Sequence, residues 1–278
     1  MRALTDHLVT GLAVLATVLV VAPLVAIFIY LVYKGASSLN LDFFTQIPKP
    51  VGEPGGGMAN AIGGSAMLLG LGSLIGVPIG IGGGIFLAEF GRGTKLANAV
   101  RFTADVLNGV PSIVMGIAAY SLVVVPQGHF SAFSGGVALG IMMIPTICRT
   151  TEEMLLMVPN AVREAALALG VPNWRSVLAI TVKTASPGII TGCMLAFARV
   201  AGETAPLIFT AFGNAFWSSN LNQPIAALPL QIYVYAISPY EDWHRLAWAG
   251  ALVLIVLIVL AVSLVRYVTS RGVLKGAS

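Results

Sequence analysis

Charged residues are scarce in this sequence. Only 9% of its 278 residues are Asp, Glu, Lys or Arg, whereas 57% are hydrophobic and the mean hydropathy is +0.91. An ordinary soluble domain carries roughly a quarter charged residues. A soluble chain of this length has too small an interior to hide so much apolar surface from water. The composition therefore predicts an integral membrane protein.

The sequence also lacks the residues of an enzyme site. It has two cysteines and three histidines, all scattered, so neither a disulfide framework nor a clustered metal site is expected. It contains no G-x-x-x-x-G-K-[ST] phosphate loop, no H-E-x-x-H zinc motif and no G-x-S-x-G nucleophile motif. We therefore expect no cofactor in this chain. If the protein's activity is driven by ATP, the ATP must bind to a partner chain. A membrane enzyme is disfavoured, and a scaffold is a weaker alternative.

Six apolar segments are long enough to cross a bilayer, which takes about 20 residues. The first exceeds the core of a signal peptide and is expected to persist as a helix. The sequence thus predicts an all-α membrane protein with one domain over residues 1–278. The predicted spans are about 8–33, 60–89, 103–126, 134–157, 186–212 and 246–268.

The positions of Lys and Arg predict the orientation. With the N-terminus inside, eleven of the fifteen basic residues fall in cytoplasmic segments. Lys34, Lys49 and Arg245 fall outside, and Arg199 lies within the fifth span. Because cytoplasmic loops of membrane proteins are enriched in Lys and Arg, both termini are expected in the cytoplasm.

Glycines recur every four residues in the second span, at Gly72, Gly76, Gly80 and Gly84. This spacing draws one smooth stripe along the helix, and small residues at that spacing allow another helix to approach closely. Two partners remain open: a helix of the same chain, or a helix of a second chain.

The fifth span carries two charges, Arg199 and Glu203, followed by Thr204. A charge at the membrane centre costs about 2.5–3.5 kcal/mol on insertion scales. A spacing of four places both side chains on one helical face, where they are expected to pair. The pair is either a structural ion pair or a polar face on a translocation path. An arginine fork suits an oxyanion.

The loop at about 158–175, between the fourth and fifth spans, predicts a short helix. Asn160 is the expected N-cap, Gly170 the expected left-handed C-terminal residue, and Pro172 stops the helix. Such a slim, alanine-rich helix is either a surface connector or a segment that docks in a groove of another protein.

The same loop resembles the EAA motif of ABC importer permeases. The resemblance rests on Glu164, Ala165 and Ala166, followed by Gly170. It implies the six-helix type I permease fold and a coupling helix that contacts a cytoplasmic ATPase. The residues implied in that contact are Asn160, Arg163, Glu164, Ala165, Ala166 and Gly170. After Ile180 the sequence has Val182–Lys183 where the family usually has Leu-Pro, so it departs from the pattern at the end of the motif.

Further stretches are similar to the PstA-type branch of that family, the permeases of phosphate importers. They are segments 43–45, 55–58, 108–116, 163–174, 202–206 and 228–233. The branch implies inorganic phosphate as substrate, a bacterial inner membrane, and ATP and Mg bound by the partner ATPase. It also implies a homologous second permease (PstC-type), a cytoplasmic ATP-binding subunit dimer (PstB-type) and an extracytoplasmic phosphate-binding protein (PstS-type). The alternatives are the same architecture for sulfate or molybdate and, in a different class, a secondary transporter.

Overall fold

The computed structural model describes residues 2–53 and 55–275. Within these ranges the regular structure is helical, and one isolated bridge between Phe212 and Ile225 is the β pairing. The all-α prediction is confirmed. The helices are α1 (Arg2–Ala36), α2 (Leu41–Thr45), α3 (Ala59–Ile85), α4 (Lys95–Gly109), α5 (Ser112–Ala119), α6 (Val125–Gln127), α7 (Ala132–Leu156), α8 (Asn160–Ala168), α9 (Asn173–Ser176), α10 (Val182–Ala201), α11 (Ala205–Thr210), α12 (Leu228–Ala236) and α13 (Glu241–Lys275). Three π-helical turns, Phe86–Phe90, Tyr120–Val124 and Val177–Thr181, follow α3, α5 and α9.

Among the described residues, five helical stretches are long and apolar enough to cross a bilayer, and a bent pair of helices makes a sixth if it is counted as one span. Four of the predicted spans agree with such stretches, and most of their ends differ by only a few residues. These four are 8–33, 60–89, 134–157 and 246–268. The five stretches are Asp6–Ala36, Ala59–Phe90, Ala132–Leu156, Asn173–Ala201 and Glu241–Thr269.

The third predicted span, 103–126, is wrong as a single straight helix. The chain forms two helices, Lys95–Gly109 and Ser112–Gln127, that meet at 112°. The break falls at Pro111, which has no amide hydrogen to continue the helix. The residue before a proline avoids helical geometry, and Val110 is extended here, with ψ 133°.

The fifth predicted span, 186–212, has wrong boundaries. Its helical stretch begins at Asn173 and ends at Ala201, and α11 starts only at Ala205. In a continuous helix the ring of Pro206 would collide with the carbonyl of Gly202. Gly202 therefore ends α10, and Pro206 lies in the first turn of α11, where a proline fits.

The glycine stripe of α3 lies against α7 of the same chain. A β-carbon added at any of the four positions would come within 2.5–3.0 Å of an α7 side-chain atom. α7 in turn packs on α10, where Gly188 and Gly192 contact Met154 and Thr150. With 67% of its apolar window buried, α7 is the centre of the bundle. Of the two partners left open by the sequence, the structure provides the internal helix.

Candidate functional site

The predicted coupling helix forms as α8, but it begins differently from the prediction. Pro159 occupies the N-cap position and Asn160 is already helical, so the predicted N-cap role of Asn160 is wrong. Lying inside the first turn, the Asn160 side chain accepts a bond from Arg163 Nη1 at 3.3 Å. At the other end Gly170 has φ +78°, the predicted left-handed conformation.

One face of α8 is exposed. Glu164 and Ala165 are exposed, whereas Ala166 is buried against the bundle. Just beyond the helix, the apolar side chains of Leu169 and Trp174 are 84% and 61% exposed. An exposed apolar rim next to a slim helix is the surface that a protein partner would cover.

Arg163 points away from that face. Its Nη2 lies 2.7 Å from Glu89 Oε1, in the π-helical turn that ends the α3 stretch. The same guanidinium donates to the carbonyl oxygens of Val158 at 2.6 Å and Leu155 at 2.7 Å, at the C-terminus of α7. Arg163 therefore joins α8 to α3 and α7. From the sequence, Arg163 is expected only among the residues that contact the ATPase.

A second ionic network lies between α4 and α7. Glu152 is 2% exposed, and its carboxylate accepts from Arg101 Nε at 2.6 Å and from Arg149 Nη1. Arg149 Nε also contacts Asp105 Oδ1 at 2.9 Å. A buried carboxylate is tolerated when it is paired and hydrogen-bonded, as it is here.

The face of α4 that carries this network continues in both directions. Asn98 accepts from Arg101 Nη1 at 3.1 Å, and Asn108 accepts from Thr146 on α7 at 2.9 Å. From the sequence, Arg101 and Arg149 are expected only as basic residues of the cytoplasmic side, and their shared partner Glu152 is not predicted. The spacing of three between Arg149 and Glu152, within one apolar helix, was the available signal.

The predicted ion pair between Arg199 and Glu203 is wrong. Arg199 lies in the last turn of α10, whereas Glu203 lies in the non-helical break that follows, so they do not share a helical face. Within the described ranges no ion pair joins them, and Arg199 is exposed. Thr204 donates to the carbonyl of Pro229 at 3.4 Å and so ties the break to α12.

The other end of α3 is held by the segment between α11 and α12. Asn60 Nδ2 donates to the carbonyl of Asn214 at 2.9 Å, and Ser65 Oγ accepts from the Leu228 amide at 2.7 Å. Gly64 lies so close to the Ala226 carbonyl that no side chain fits there. The segment around Ala226 is therefore packed inside the protein, against the start of α3.

A cavity of about 480 Å³ opens beside this segment, between it and the loop around Lys49. Its walls include Gln231 and Tyr235 on α12 and Trp243 on α13. Burial raises the pKa of the Tyr235 phenol, which therefore stays neutral. Phe212, at the rim, has φ +61°, an unfavourable backbone conformation for a residue with a β-carbon. No motif in the sequence predicts this cavity.

The comparisons with known proteins define the class. Residues 80–272 match the family described as "Binding-protein-dependent transport system inner membrane component". This chain belongs to that family. An inward-facing structure of the MetNI methionine ABC transporter superposes on 78% of this chain and 96% of its own, with a TM-score of 0.59 and 21% identity. The likeness confirms the predicted ABC importer permease fold, whereas the orientation of the termini stays a prediction.

More similar relatives share one description, "Phosphate transport system permease protein PstA". The Yersinia pestis protein is 47% identical over 86% of this chain and 81% of its own length. The Haemophilus influenzae protein is 46% identical over 93% of this chain and 91% of its own length. A Methanocaldococcus jannaschii relative is described as a probable protein of the same kind. It is 33% identical over 96% of this chain and 94% of its own length.

Proposed function

We propose that this chain is a transmembrane permease subunit of an ATP-driven importer of inorganic phosphate in the bacterial inner membrane. The observation that carries the proposal is the similarity to phosphate permeases, which extends over nearly the whole chain in bacterial and archaeal relatives. The exposed face of α8 adds the docking surface that such a subunit needs.

The chain would form half of the translocation path, with Arg199, Glu203 and Thr204 on its wall. Two features support this role for Arg199: its guanidinium is exposed, and the described part of the chain offers it no carboxylate partner. A planar guanidinium binds phosphate oxygens in pairs. A single exposed cation binds weakly and releases its ion readily, so tight selection would belong to a separate phosphate-binding protein (PstS-type).

ATP and Mg would be bound by a cytoplasmic ATPase dimer (PstB-type), since this sequence has no phosphate loop. The contact would be made by the exposed face of α8, with Glu164 and Ala165, and by the rim of Leu169 and Trp174. A homologous second permease (PstC-type) would supply the other half of the path.

The test is uptake of labelled phosphate at limiting phosphate by cells that lack this gene and by the same cells with it restored. Sulfate and molybdate are the competitors. We expect uptake to be restored and to resist both. Intact uptake in the deletion strain, with no redundant importer present, would reject phosphate as the substrate.

The path assignment is tested in the same cells with Arg199→Ala. The change should lower uptake while the amount of protein in the membrane stays normal, because within the described residues this exposed side chain makes no ion pair. Lys95→Ala, which removes an exposed cation at the start of α4, is the matched control. Unchanged uptake in Arg199→Ala would remove this residue from the path.

A further inference from the structure

In the described part of the chain, two kinds of connection attach α8 to the rest of the bundle. The first is the chain itself, which joins α8 through residues 157–159 to α7 and, through α9 and the π-helical turn Val177–Thr181, to α10. Val162 and Ala166 add apolar contacts on the inner face of α8. The second connection is ionic and leads elsewhere, because Arg163 reaches Glu89 at the inner end of the α3 stretch.

The ionic connection is largely shielded from water. The side chains of Arg163 and Glu89 are 14% and 7% exposed. Arg163 Nε lies 3.2 and 3.3 Å from the two carboxylate oxygens, in addition to the 2.7 Å contact of Nη2. Forked, charge-assisted contacts of this kind fix orientation as well as distance.

Arg163 contacts α7 and the α3 stretch at the ends of these helices. The carbonyls of Leu155 and Val158, which accept from Arg163, lie at the C-terminus of α7, where a cation is favoured by the helix dipole. Glu89 lies in a π-helical turn, a local widening that changes the direction of the side chains that follow it. The guanidinium thus occupies a junction of α8, α7 and the inner end of α3.

We propose that Arg163 and Glu89 are positioning residues that fasten the coupling helix α8 to the inner end of α3. Movement of α8 then carries α3 with it, in addition to α7 and α10, to which the chain joins it. The proposal rests on the proposed function in one respect, that an ATPase moves α8.

The packing of α3 would carry a movement of α8 across the membrane. The glycine stripe locks α3 to α7 at separations that leave no room for β-carbons. At the far end, Asn60 and Ser65 hold the segment between α11 and α12. A displacement at Glu89 is therefore transmitted through a closely packed helix to the segment beside the cavity near Lys49.

The first test uses the complete transporter, with both permeases and the ATPase, in proteoliposomes supplied with its binding protein. Phosphate transported per ATP hydrolysed is measured for Glu89→Gln, for the charge-conserving Glu89→Asp and for the control Glu153→Gln. Glu153 is an exposed carboxylate at the same end of α7.

We expect Glu89→Gln to lower the ratio several-fold while the ATPase still copurifies, because the exposed face of α8 is unaltered. Glu89→Asp should lower the ratio of phosphate transported to ATP hydrolysed less than Glu89→Gln does. Glu153→Gln should have the same ratio as the wild type. A normal ratio in Glu89→Gln would overturn the proposal. Loss of copurifying ATPase, equal in Gln and Asp variants, would also overturn it, because the pair would then serve only to hold the fold.

A second measurement does not depend on the substrate. Spin labels at Ala161 on α8 and at Phe90, both exposed, report the distance between α8 and the inner end of α3. The native cysteines are buried, so the labels go to the introduced ones. The distance should stay constant between nucleotide-free and ATP–vanadate states in the wild type and change in Glu89→Gln. A distance that changes equally in both would reject the fastening, whereas absent phosphate transport with a constant distance would reject only the proposed substrate.

Discussion

The contact between α3 and α7 makes a quantitative prediction at Gly84. A β-carbon added there would lie 2.5 Å from Thr151 Cβ and 2.7 Å from the backbone oxygen of Cys148. Ordinary contact begins at 3.4 Å, so Gly84→Ala forces the two helices apart by about 0.9 Å. Overpacking of this kind costs about 1–3 kcal/mol.

Gly82 on the same helix is the matched control, because a β-carbon there meets no atom within 4 Å. Gly82→Ala should gain about 0.8–1 kcal/mol of helix propensity. Gly84→Ala gains the same propensity, so the two variants, identical in composition, should differ by the overpacking cost alone, about 1–3 kcal/mol in the free energy of unfolding.

The assay is titration of the purified chain from mild-detergent micelles into SDS, with helicity as the readout. Gly84→Ala should unfold at a lower SDS fraction than the wild type, and Gly82→Ala at an equal or higher one. Equal midpoints for the two alanine variants would refute the inference that the stripe is closed against α7.

Three other predictions concern separate parts of the chain. Glu152→Gln should destabilise the protein by up to about 3–5 kcal/mol, because two arginines lose their buried counter-charge; SDS titration measures this, and a midpoint equal to that of Glu153→Gln would contradict it. Gly170→Val should weaken copurification of the ATPase, because φ +78° costs a β-branched residue at least about 1–2 kcal/mol; Gly170→Asn should keep it, and equal behaviour of the two would remove the conformational argument. A cysteine at Glu53 should react with an impermeant thiol reagent from outside and one at Asn160 should not; the opposite labelling would invert the topology.

The long helices could be predicted from the sequence because hydropathy is a local property. The two errors occurred where a window averages across a break, at Pro111 and at Pro206. Both prolines are visible in the sequence, and each carried the signal for a boundary. The pairing of Arg199 with Glu203 failed for the same reason, since it assumed a helix that Gly202 ends.

The ionic contacts between residues far apart in the sequence could not be predicted from one sequence. Arg163 and Glu89 are 74 residues apart, and Arg101 and Glu152 are 51 apart. Each residue alone is indistinguishable from a solvated charge at a helix end. Only the packing of α3 and α4 on α7 brings the partners together, and that packing depends on the whole bundle.

The isolation of α1 has a consequence for how the protein is made. None of its most apolar window, with a mean hydropathy of 2.9, is buried by the rest of the described chain. Its close contact lies at the far end, where Gly35 meets the backbone of Trp248 and the side chain of Leu252. A helix that is stable in lipid alone can insert into the membrane as soon as it leaves the ribosome, before the later helices of the chain are available to pack against it. Because Trp248 is synthesised more than two hundred residues later, α1 makes this contact with its own subunit only after the start of α13 has been synthesised.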